Sequence, residues 1–187
     1  MILINILAAW LVADFISGLV HWFEDRYLDE TTSIGRDNTL HHNDPRAMTR
    51  IPYWQNVDSS LAYGIPLAIV LWIAGAHQIF ILSMFFACFA NLVHRFAHEK
   101  KSATPEIVKL LQSTGLMISP RAHAPHHSER GILIPKSQAK DKYCAMTSWM
   151  NPLLDKIGLW HKLELCLGFC GVKTVSNETH NPNHRRH

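Results

Sequence analysis

Two pairs of side chains with metal-ligating atoms are spaced four residues apart. His21 and Asp25 form one pair in the stretch HWFED, and His94 and His98 form the other in HRFAH. Side chains four residues apart lie on the same face of an α-helix. On a helix, each pair could therefore bind a single metal ion.

Two further stretches carry histidines in patterns that suit two ions better than one. HAPHH relates His123 to His126 and His127 by three and four residues, so these rings could bridge two ions. His41 and His42 are adjacent in LHHNDP, and adjacent side chains on a helix point about 100° apart. Both patterns indicate a site that holds more than one ion.

The number of candidate ligands restricts the metal. Eight histidines and one aspartate exceed the four ligands of a structural zinc site and the three of a catalytic one. They suit two metal ions of higher coordination number. Imidazole ligands favour Fe, Zn, Cu or Ni over Mg and Ca. Two redox-active irons beside a hydrocarbon interior would suit O2 activation and attack on an unactivated C–H bond.

The apolar residues are concentrated in two blocks, 1–23 and 61–93, although the mean hydropathy of the whole chain is only -0.01. The first block reaches the length of about 20 residues that crosses a bilayer. The second block is too long for one span, and AGAH near its middle predicts a turn between helices at 60–75 and 78–98. The chain is therefore predicted to be an all-α integral membrane protein with about three transmembrane helices.

Helices that lie along the membrane interface are expected after the second block. TPEIVKLLQSTGL predicts one, with Thr104 as its N-cap and Pro105 as its first helical residue. NPLLDKIGLWHKLELCLGF predicts another. Trp22, Trp149 and Trp160 are expected to anchor the chain at the lipid headgroups.

The distribution of lysine and arginine predicts the orientation in the membrane. Neither residue occurs before Arg26 or in the turn near 75–77, whereas the loop 24–58 has four arginines and the region after residue 98 carries most of the other basic residues. The positive-inside rule places the N-terminus and the turn outside and the rest in the cytoplasm. The eight histidines then converge at the cytoplasmic membrane boundary, and His77 lies at the opposite face.

The bulk composition bounds the class of protein. A formal charge of +3 is too small to indicate a nucleic-acid partner. The length of 187 residues suggests one domain, expected at 1–175 and followed by a polar, disordered tail at 176–187. The four cysteines form no CxxC pair and are expected to be free thiols.

Five stretches resemble, in the same order, those of the Kua-type lipid desaturases, a family that includes plasmanylethanolamine desaturases and a plant phosphatidylglycerol trans-desaturase. One such stretch alone is a weak signal, but together they cover most of the chain and make the resemblance specific. The stretches are DFISGLVHWFED (14–25), LHHNDPRAMTR (40–50), NLVHRFAHE (91–99), HAPHH (123–127) and YCAMTSWMNPLLDKIGLW (143–160).

The resemblance implies a membrane-embedded di-iron desaturase that introduces a double bond into an acyl or alkyl chain of a glycerolipid. It implies O2 as co-substrate and electrons from a separate carrier such as cytochrome b5 or ferredoxin, and no catalytic residue beyond the metal ligands. The acidic residue of the first motif matches Asp25, as a ligand or as an outer partner that orients His21. The family's histidines match His21, His41, His42, His94, His98, His123, His126 and His127.

Three alternative functions would use the same residues. A lipid hydroxylase would keep the di-iron site and differ in whether oxygen enters the product. A zinc-dependent membrane hydrolase would need a general-base glutamate in a frame such as HExxH, and neither Glu99 nor Glu129 lies in that frame. A metal-binding scaffold would leave lipid composition unchanged.

Four polar residues outside the candidate ligand set have simpler interpretations. Asp14, in the first apolar block, is expected to make a structural hydrogen bond to a neighbouring helix. Asn43 and Asn91 lie near candidate ligands and are expected either to donate hydrogen bonds to them or to serve the fold. His161 is expected at the surface.

Overall fold

The computed structural model describes residues 1–175 and is mostly helical, as predicted. The tail predicted to be disordered, 176–187, lies outside the described residues. Two short strands, β1 (Ser128–Glu129) and β2 (Ile132–Leu133), form an antiparallel hairpin that was not predicted. The helices are α1 (Ile2–Tyr27), α2 (Ser33–Asn43), α3 (Asp58–Ile73), α4 (Gln78–Ala87), α5 (Ala90–His98), α6 (Glu106–Thr114), α7 (Pro120–His127), α8 (Met150–Ile157) and α9 (Leu159–Phe169), with 3-10 turns at Ala47–Thr49, Tyr53–Asn56 and Lys136–Gln138.

Helix α1 is long and apolar enough to cross a bilayer. Its 26 residues extend about 39 Å at 1.5 Å per residue. Ile2, Leu3 and Ile4 are each more than 70% exposed, whereas the small side chains of Ala9 and Ala13 are fully buried against the rest of the protein. Within residues 1–175, α1 is the one helix that by itself meets the length and hydropathy needed for a span.

The second apolar block folds back on itself at Gly75, as the sequence predicts. Gly75 has a φ of +72°, a conformation that glycine adopts without side-chain strain. Helix α4 then packs against both α3 and α1. Helix α3 has only 16 residues and does not reach the length of a span by itself. Helices α4 and α5 form a second span only if the bent pair is counted as one. The count of three spans therefore stays a prediction.

The single helix predicted over 78–98 is wrong, because α4 and α5 meet at an angle of 45°. The Ser83 hydroxyl donates to the carbonyl of Ile79 at 2.6 Å, and the Cys88 thiol donates to that of Met84 at 3.2 Å. Hydrogen bonds from a side chain to the carbonyl four residues earlier compete with the backbone hydrogen bonds of the helix and bend it. The bend turns the axis of α5 away from that of α4.

The outer faces of α3 and α4 are apolar. Tyr63, Trp72 and Ile73 in α3 and Phe80 in α4 are each more than half exposed. Large apolar side chains are normally withdrawn from water, so these faces suit a hydrocarbon environment.

Helix α6 begins one residue later than predicted. Pro105 is the N-cap, and the Thr104 hydroxyl donates to the Lys100 carbonyl at 3.0 Å instead of capping the helix. Val108 packs in the core, while Ile107 and Leu110 remain exposed on the outer face. This outer apolar stripe suits the membrane interface that the sequence predicts for this helix.

The last predicted helix is instead two helices, α8 and α9. Gly158 between them adopts a left-handed φ of +61°, which ends α8. Trp160 then faces inward, is 2% exposed and contacts Trp22 and Tyr143 edge-on or tilted. Trp22 and Trp160 are therefore core residues, and the prediction that they anchor the chain at the interface is wrong, whereas Trp149 is exposed.

The buried carboxylate of Asp14 holds the extended segment 143–147 against α1. It accepts hydrogen bonds from the backbone N–H groups of Met146 and Thr147 at 2.8 and 3.0 Å, and from the Thr147 hydroxyl at 2.7 Å. The structural role expected for Asp14 is therefore correct. Its partner is this segment, however, and not a neighbouring helix.

Two more residues fix the same segment. The Asn151 side chain accepts from the N–H of Cys144 at 2.9 Å and donates to its carbonyl at 2.7 Å. A Cβ on Gly18 would lie only 2.6 Å from the Cys144 sulfur, so glycine allows α1 and the segment to approach this closely. These contacts, together with the hydrogen bonds to Asp14, fix the segment against α1.

Replacing Asp14 with alanine should destabilise the protein by about 3 kcal/mol. The change leaves two backbone N–H groups and one hydroxyl buried without acceptors, and each such loss is costly. Thermal unfolding in detergent micelles measures the effect. Asp37→Ala, at an exposed position of α2, is the matched control and should unfold like the wild type. Equal unfolding temperatures for both variants would contradict this role of Asp14.

Candidate metal centre

Four helices direct histidines to one end of α1. His21 and Asp25 lie one turn apart on a buried face of α1. Helix α2, capped by the Thr32 hydroxyl, carries His41 and His42 to the same place. Helix α5 follows the bend after α4, and α7 is capped by a serine hydroxyl; these two helices supply the remaining histidines.

Five rings form what we call the five-histidine cluster, and their ligand atoms lie within 4.8 Å of one another. The Nε2 atom of His123 is 2.6 Å from that of His94 and 2.8 Å from that of His127. The Nε2 atoms of His94 and His98 are 3.1 Å apart. The members are His41, His94, His98, His123 and His127.

Three further rings and one carboxylate form the Asp25 cluster, beside the first. Its members are His21, Asp25, His42 and His126, all of them buried. Asp25 Oδ1 lies 3.1 Å from Nε2 of His42, and Oδ2 lies 3.2 Å from Nε2 of His126. Each cluster thus gathers ligand atoms around one point.

The two clusters divide residues that are neighbours in sequence. His41 enters the five-histidine cluster and His42 the Asp25 cluster, because adjacent side chains on α2 diverge by about 100°. In α7, His123 and His127 share a face and enter the first cluster, while His126 points to the second. The structure therefore brings together all nine predicted ligands, in two groups.

Hydrogen bonds to backbone carbonyls fix which nitrogens of His21 and His126 face the cluster. Nδ1 of His21 is 3.1 Å from the Tyr143 carbonyl, and Nδ1 of His126 is 2.9 Å from the Lys140 carbonyl. A carbonyl only accepts, so each Nδ1 carries the proton and each Nε2 presents a lone pair. These two Nε2 atoms lie 3.1 Å apart.

Two imidazole lone pairs and the carboxylate of Asp25 therefore face one another. Oδ2 of Asp25 is buried and has no hydrogen-bond donor among the described residues. Buried acceptors that converge in this way are destabilising unless a cation or a proton lies between them. The donor set fits a transition-metal ion, which would bind all of these lone pairs.

The five-histidine cluster fits a metal ion for a similar reason. Nε2 of His123 faces two other Nε2 atoms and can donate at most one proton, and both ring nitrogens of His41 are buried without a partner among residues 1–175. Burial lowers the pKa of His41, His123 and His127, which keeps these rings neutral and their lone pairs available. Five imidazoles exceed the four ligands of an ordinary zinc site.

Sequence reasoning missed the residues that support the ligands. Asn38 donates to Asp25 Oδ1 at 2.6 Å, and its position four residues before His42 in α2 was a signal for this contact. One of the two roles expected for Asn43 and Asn91 was a hydrogen bond to a ligand. Both residues are exposed, which disfavours that role. No pattern in the sequence could reveal that the backbone carbonyls of Tyr143 and Lys140 orient two of the histidines.

Two cations, the half-buried Lys136 and the buried Arg95, tie the ligand-bearing helices to neighbouring segments. Lys136 donates to the carbonyl of Leu28, just after α1, at 2.6 Å, and lies 3.3 Å from that of Gly35 in α2. Arg95, between two ligands in α5, donates to the carbonyls of Thr49 and Ile51 at 2.8 and 2.6 Å. Lys136 thus joins the end of α1 to α2, and Arg95 joins α5 to the segment that follows α2.

Comparison with known proteins identifies related chains. A family profile described as the lipid desaturase domain matches residues 10–178. The chain is 30% identical over 179 residues to fatty acid desaturase 4 of Arabidopsis thaliana chloroplasts, which covers 90% of this chain and 53% of that protein. It is 28% identical over 198 residues to plasmanylethanolamine desaturase 1 of Mus musculus, covering 95% and 69% of the two chains.

A bacterial relative has the same description as the mouse protein. Plasmanylethanolamine desaturase of Myxococcus xanthus is 28% identical over 170 residues, covering 84% of this chain and 57% of that one. The chain thus spans little more than half the length of the plant and bacterial relatives. No solved structure matches the chain.

Single substitutions of His41 and His42 should each remove about one of two bound metal ions. The two residues are adjacent but belong to different clusters. Each alanine should therefore weaken the binding of one ion by at least about tenfold and leave the binding of the other unchanged. Metal analysis after dialysis against a chelator measures this, and the double variant should lose both ions. His161→Ala, at an exposed position, should retain both. Loss of all metal in either single variant would contradict the division into two clusters.

The stability of the metal-free protein should fall as the pH drops below 6.5. Burial lowers the pKa of His41, His42, His123 and His127 from the ordinary value of 6.5, so the unfolded chain binds more protons than the folded one below that pH. Stability is therefore full above pH 6.5 and decreases below it, by up to about 1.4 kcal/mol per pH unit for each ring.

Unfolding temperatures of the metal-free protein between pH 8 and pH 5 test this dependence. The expected profile is level above pH 7 and steep below pH 6.5, and His161→Ala should leave it unchanged. A level profile across the whole range would show that these rings are not buried in a neutral form.

Proposed function

The chain belongs to the lipid desaturase family, as the five motifs indicated, and we propose that it is a membrane-bound di-iron lipid desaturase. We propose that residues 1–175 form one lipid desaturase domain; the family profile matches residues 10–178. It introduces a double bond into an acyl or alkyl chain of a glycerolipid, with O2 as co-substrate and electrons from an external carrier. The observation that carries this proposal is the pair of adjacent, largely buried ligand clusters.

The nine residues of the two clusters are the proposed ligands. Two iron ions bound there would activate O2, the oxidant that removes two hydrogens from an unactivated carbon chain. Imidazole and carboxylate groups are ligands that iron accepts. The clusters together offer nine ligand side chains, which suits two ions of high coordination number better than one zinc ion.

Asp25 is proposed as a direct ligand and not as an outer partner of His21. An outer partner would contact the ring nitrogen that points away from the metal, and the Tyr143 carbonyl already occupies that position. The Asp25 oxygens instead lie beside Nε2 of His42 and of His126. Its negative charge would offset part of the charge of an ion in this cluster.

The supporting residues keep the ligands in place. The Tyr143 and Lys140 carbonyls hold His21 and His126 in the tautomer that points a lone pair inward. Asn38 fixes the Asp25 carboxylate by donating a hydrogen bond to Oδ1. A site organised in advance in this way needs little rearrangement when metal and substrate bind.

Glu99 and Glu129 give no support to the alternative of a zinc-dependent hydrolase. Glu99 accepts a hydrogen bond from Arg95 at 3.3 Å, and Glu129 is exposed with its carboxylate 3.5 Å from the Lys140 amine. Neither belongs to the two clusters. A general base beside a bound zinc ion would need to lie there.

The family and the apolar helix α1 indicate a membrane protein. We place α1, α3 and the bent pair α4 and α5 in the bilayer, with α6, α8 and α9 along its interface. Basic residues first occur at Arg26 and continue through the loop that follows, and this distribution supports our proposal that the clusters lie on the cytoplasmic side.

The substrate is proposed to be a membrane glycerolipid. The relatives are named as desaturases of fatty acids and of plasmanylethanolamine, so an acyl or an alkyl chain fits. The partners are this lipid and a separate electron carrier such as cytochrome b5 or ferredoxin. A formal charge of +3 gives no reason to add a nucleic acid.

Lipid analysis of a desaturase-free bacterial host tests the proposed reaction. The wild-type chain should produce a lipid lighter by two hydrogens than its precursor, and His126→Ala should not, because it removes a ligand from the Asp25 cluster. The purified wild type should contain about two irons per chain. His161→Ala is the control and should retain both properties.

Other results would redirect the assignment. A product heavier by one oxygen atom would indicate a hydroxylase on the same site. Bound zinc without any change of lipid composition would contradict an oxidative function and favour a hydrolase or a metal-binding scaffold.

A further inference from the structure

The nine candidate ligands are not equally accessible from outside the protein. Seven of them are buried, whereas His41 and His98 are partly exposed. These two rings are neighbours in the five-histidine cluster, with centroids 4.8 Å apart. A lipid chain that is oxidised at the clusters must come close to the ligands, so it reaches them on the side of these two rings.

The segment 44–57, which joins α2 to α3, borders this side. We call it the border segment. It contacts the two helices that carry the partly exposed rings, α2 and α5. Arg95, one turn before His98 in α5, donates to the carbonyls of Thr49 and Ile51 at 2.8 and 2.6 Å. These hydrogen bonds fix the border segment beside the accessible edge of the five-histidine cluster.

Positive charge exceeds negative charge around this edge. The nearby acidic side chains already have partners, because Asp44 forms an ion pair with Arg50, and Glu99 forms one with Arg95 at 3.3 Å. Three further cations are exposed, and within residues 1–175 their side chains have neither an ion pair nor a hydrogen bond. They are Arg46 in the border segment and Lys100 and Lys101, which directly follow α5.

Arg46 is tied to the helix that carries His98. Its carbonyl accepts hydrogen bonds from the N–H and the hydroxyl of Thr49, both at 2.9 Å, and the Thr49 carbonyl in turn accepts from Arg95. The guanidinium is close enough to His98 for its charge to affect that ring. An exposed and unpaired arginine suits a phosphate, because the two groups form parallel, charge-assisted hydrogen bonds.

The border segment also exposes large apolar side chains. Ile51, Tyr53 and Trp54 are 38%, 50% and 62% exposed. Tyrosine and tryptophan are enriched at the boundary between lipid tails and headgroups. The chain continues from here directly into α3, whose outer face is apolar. A phospholipid matches both the charge of Arg46 and these apolar side chains, whereas an acidic soluble protein matches the charge alone.

Resting on the proposed function, we infer that Arg46 binds the phosphate of the lipid whose chain is desaturated. The guanidinium fixes the polar end of the phospholipid at the border segment, and the acyl or alkyl chain then extends past His98 and His41. Lys100 and Lys101 add positive charge that attracts the headgroup to this side. A glycerolipid without a phosphate lacks the group that Arg46 binds.

Lipid binding tests this inference without any turnover. The full-length protein is used as purified in neutral detergent, with its metal content measured and O2 excluded. The probes are dioleoylphosphatidic acid and dioleoylglycerol, which carry the same chains and differ in the phosphate. Each displaces a lipid with a pyrene-labelled chain, and displacement is followed as loss of energy transfer from tryptophan.

Arg46→Gln should weaken the binding of dioleoylphosphatidic acid at least about fivefold and leave that of dioleoylglycerol unchanged. Arg46→Lys should recover most of the loss, because it restores the charge. The matched control is Arg121→Gln, which removes an exposed arginine from a groove lined also by Ser113 and Trp149, and which should bind both lipids like the wild type. All variants should unfold at the wild-type temperature, since both arginines are exposed.

Two binding results would overturn the proposal. One is an equal affinity of the wild type and Arg46→Gln for dioleoylphosphatidic acid. The other is an equal loss of affinity for both lipids, because Arg46 would then support the apolar contact and not the phosphate. Inorganic phosphate at the same concentration should displace little of the labelled lipid, and displacement as strong as that by dioleoylphosphatidic acid would show a general anion site instead.

Kinetics of the iron-loaded protein separate the lipid from an electron carrier. Arg46→Gln should raise the KM for a phospholipid at least about fivefold and leave the rate of reduction by ferredoxin unchanged. Slower reduction with an unchanged KM would assign this side to the carrier and overturn the inference. If the wild type forms no unsaturated lipid but binds phospholipid through Arg46, the proposed function fails and the phosphate site stands.

Discussion

Nine side chains with metal-ligating atoms, seven of them buried, are gathered around two points, and the rest of the fold serves this arrangement. Buried imidazoles and carboxylates are stable only if each lone pair meets a proton or a cation. The carbonyls of Tyr143 and Lys140 satisfy the outer nitrogens of His21 and His126. The inner nitrogens face one another and Asp25, an arrangement that could hold a positively charged metal ion.

The supports of the ligands are themselves buried and polar, and they reach far along α1. Asp14 lies two turns before His21 and binds the segment whose Tyr143 carbonyl accepts from His21. Asn151 fixes the next peptide of that segment. One helix thus carries both an apolar surface and a chain of polar contacts that ends in the metal centre. This explains why α1 has polar residues at intervals on an otherwise apolar sequence.

The position of the clusters agrees with a membrane-bound reaction. His21 lies about 29 Å along α1 from Ile2, close to the thickness of a hydrocarbon core. The clusters therefore lie near one boundary of the bilayer if α1 spans it.

Local spacing in the sequence was sufficient to find the side chains that the fold gathers into the two clusters. The four-residue spacing of His21 with Asp25 and of His94 with His98, and the mixed spacing of His123 with His126 and His127, predict helix faces, because a helix repeats every 3.6 residues. The apolar blocks predict long helices and the turn at Gly75. Tertiary packing decided what depends on contacts distant in sequence: the bend between α4 and α5, the inward position of Trp160, the support of Asp25 by Asn38, and the two carbonyls that set the tautomers of His21 and His126. A backbone carbonyl is the same in every residue, so only the fold can select the two that orient these ligands.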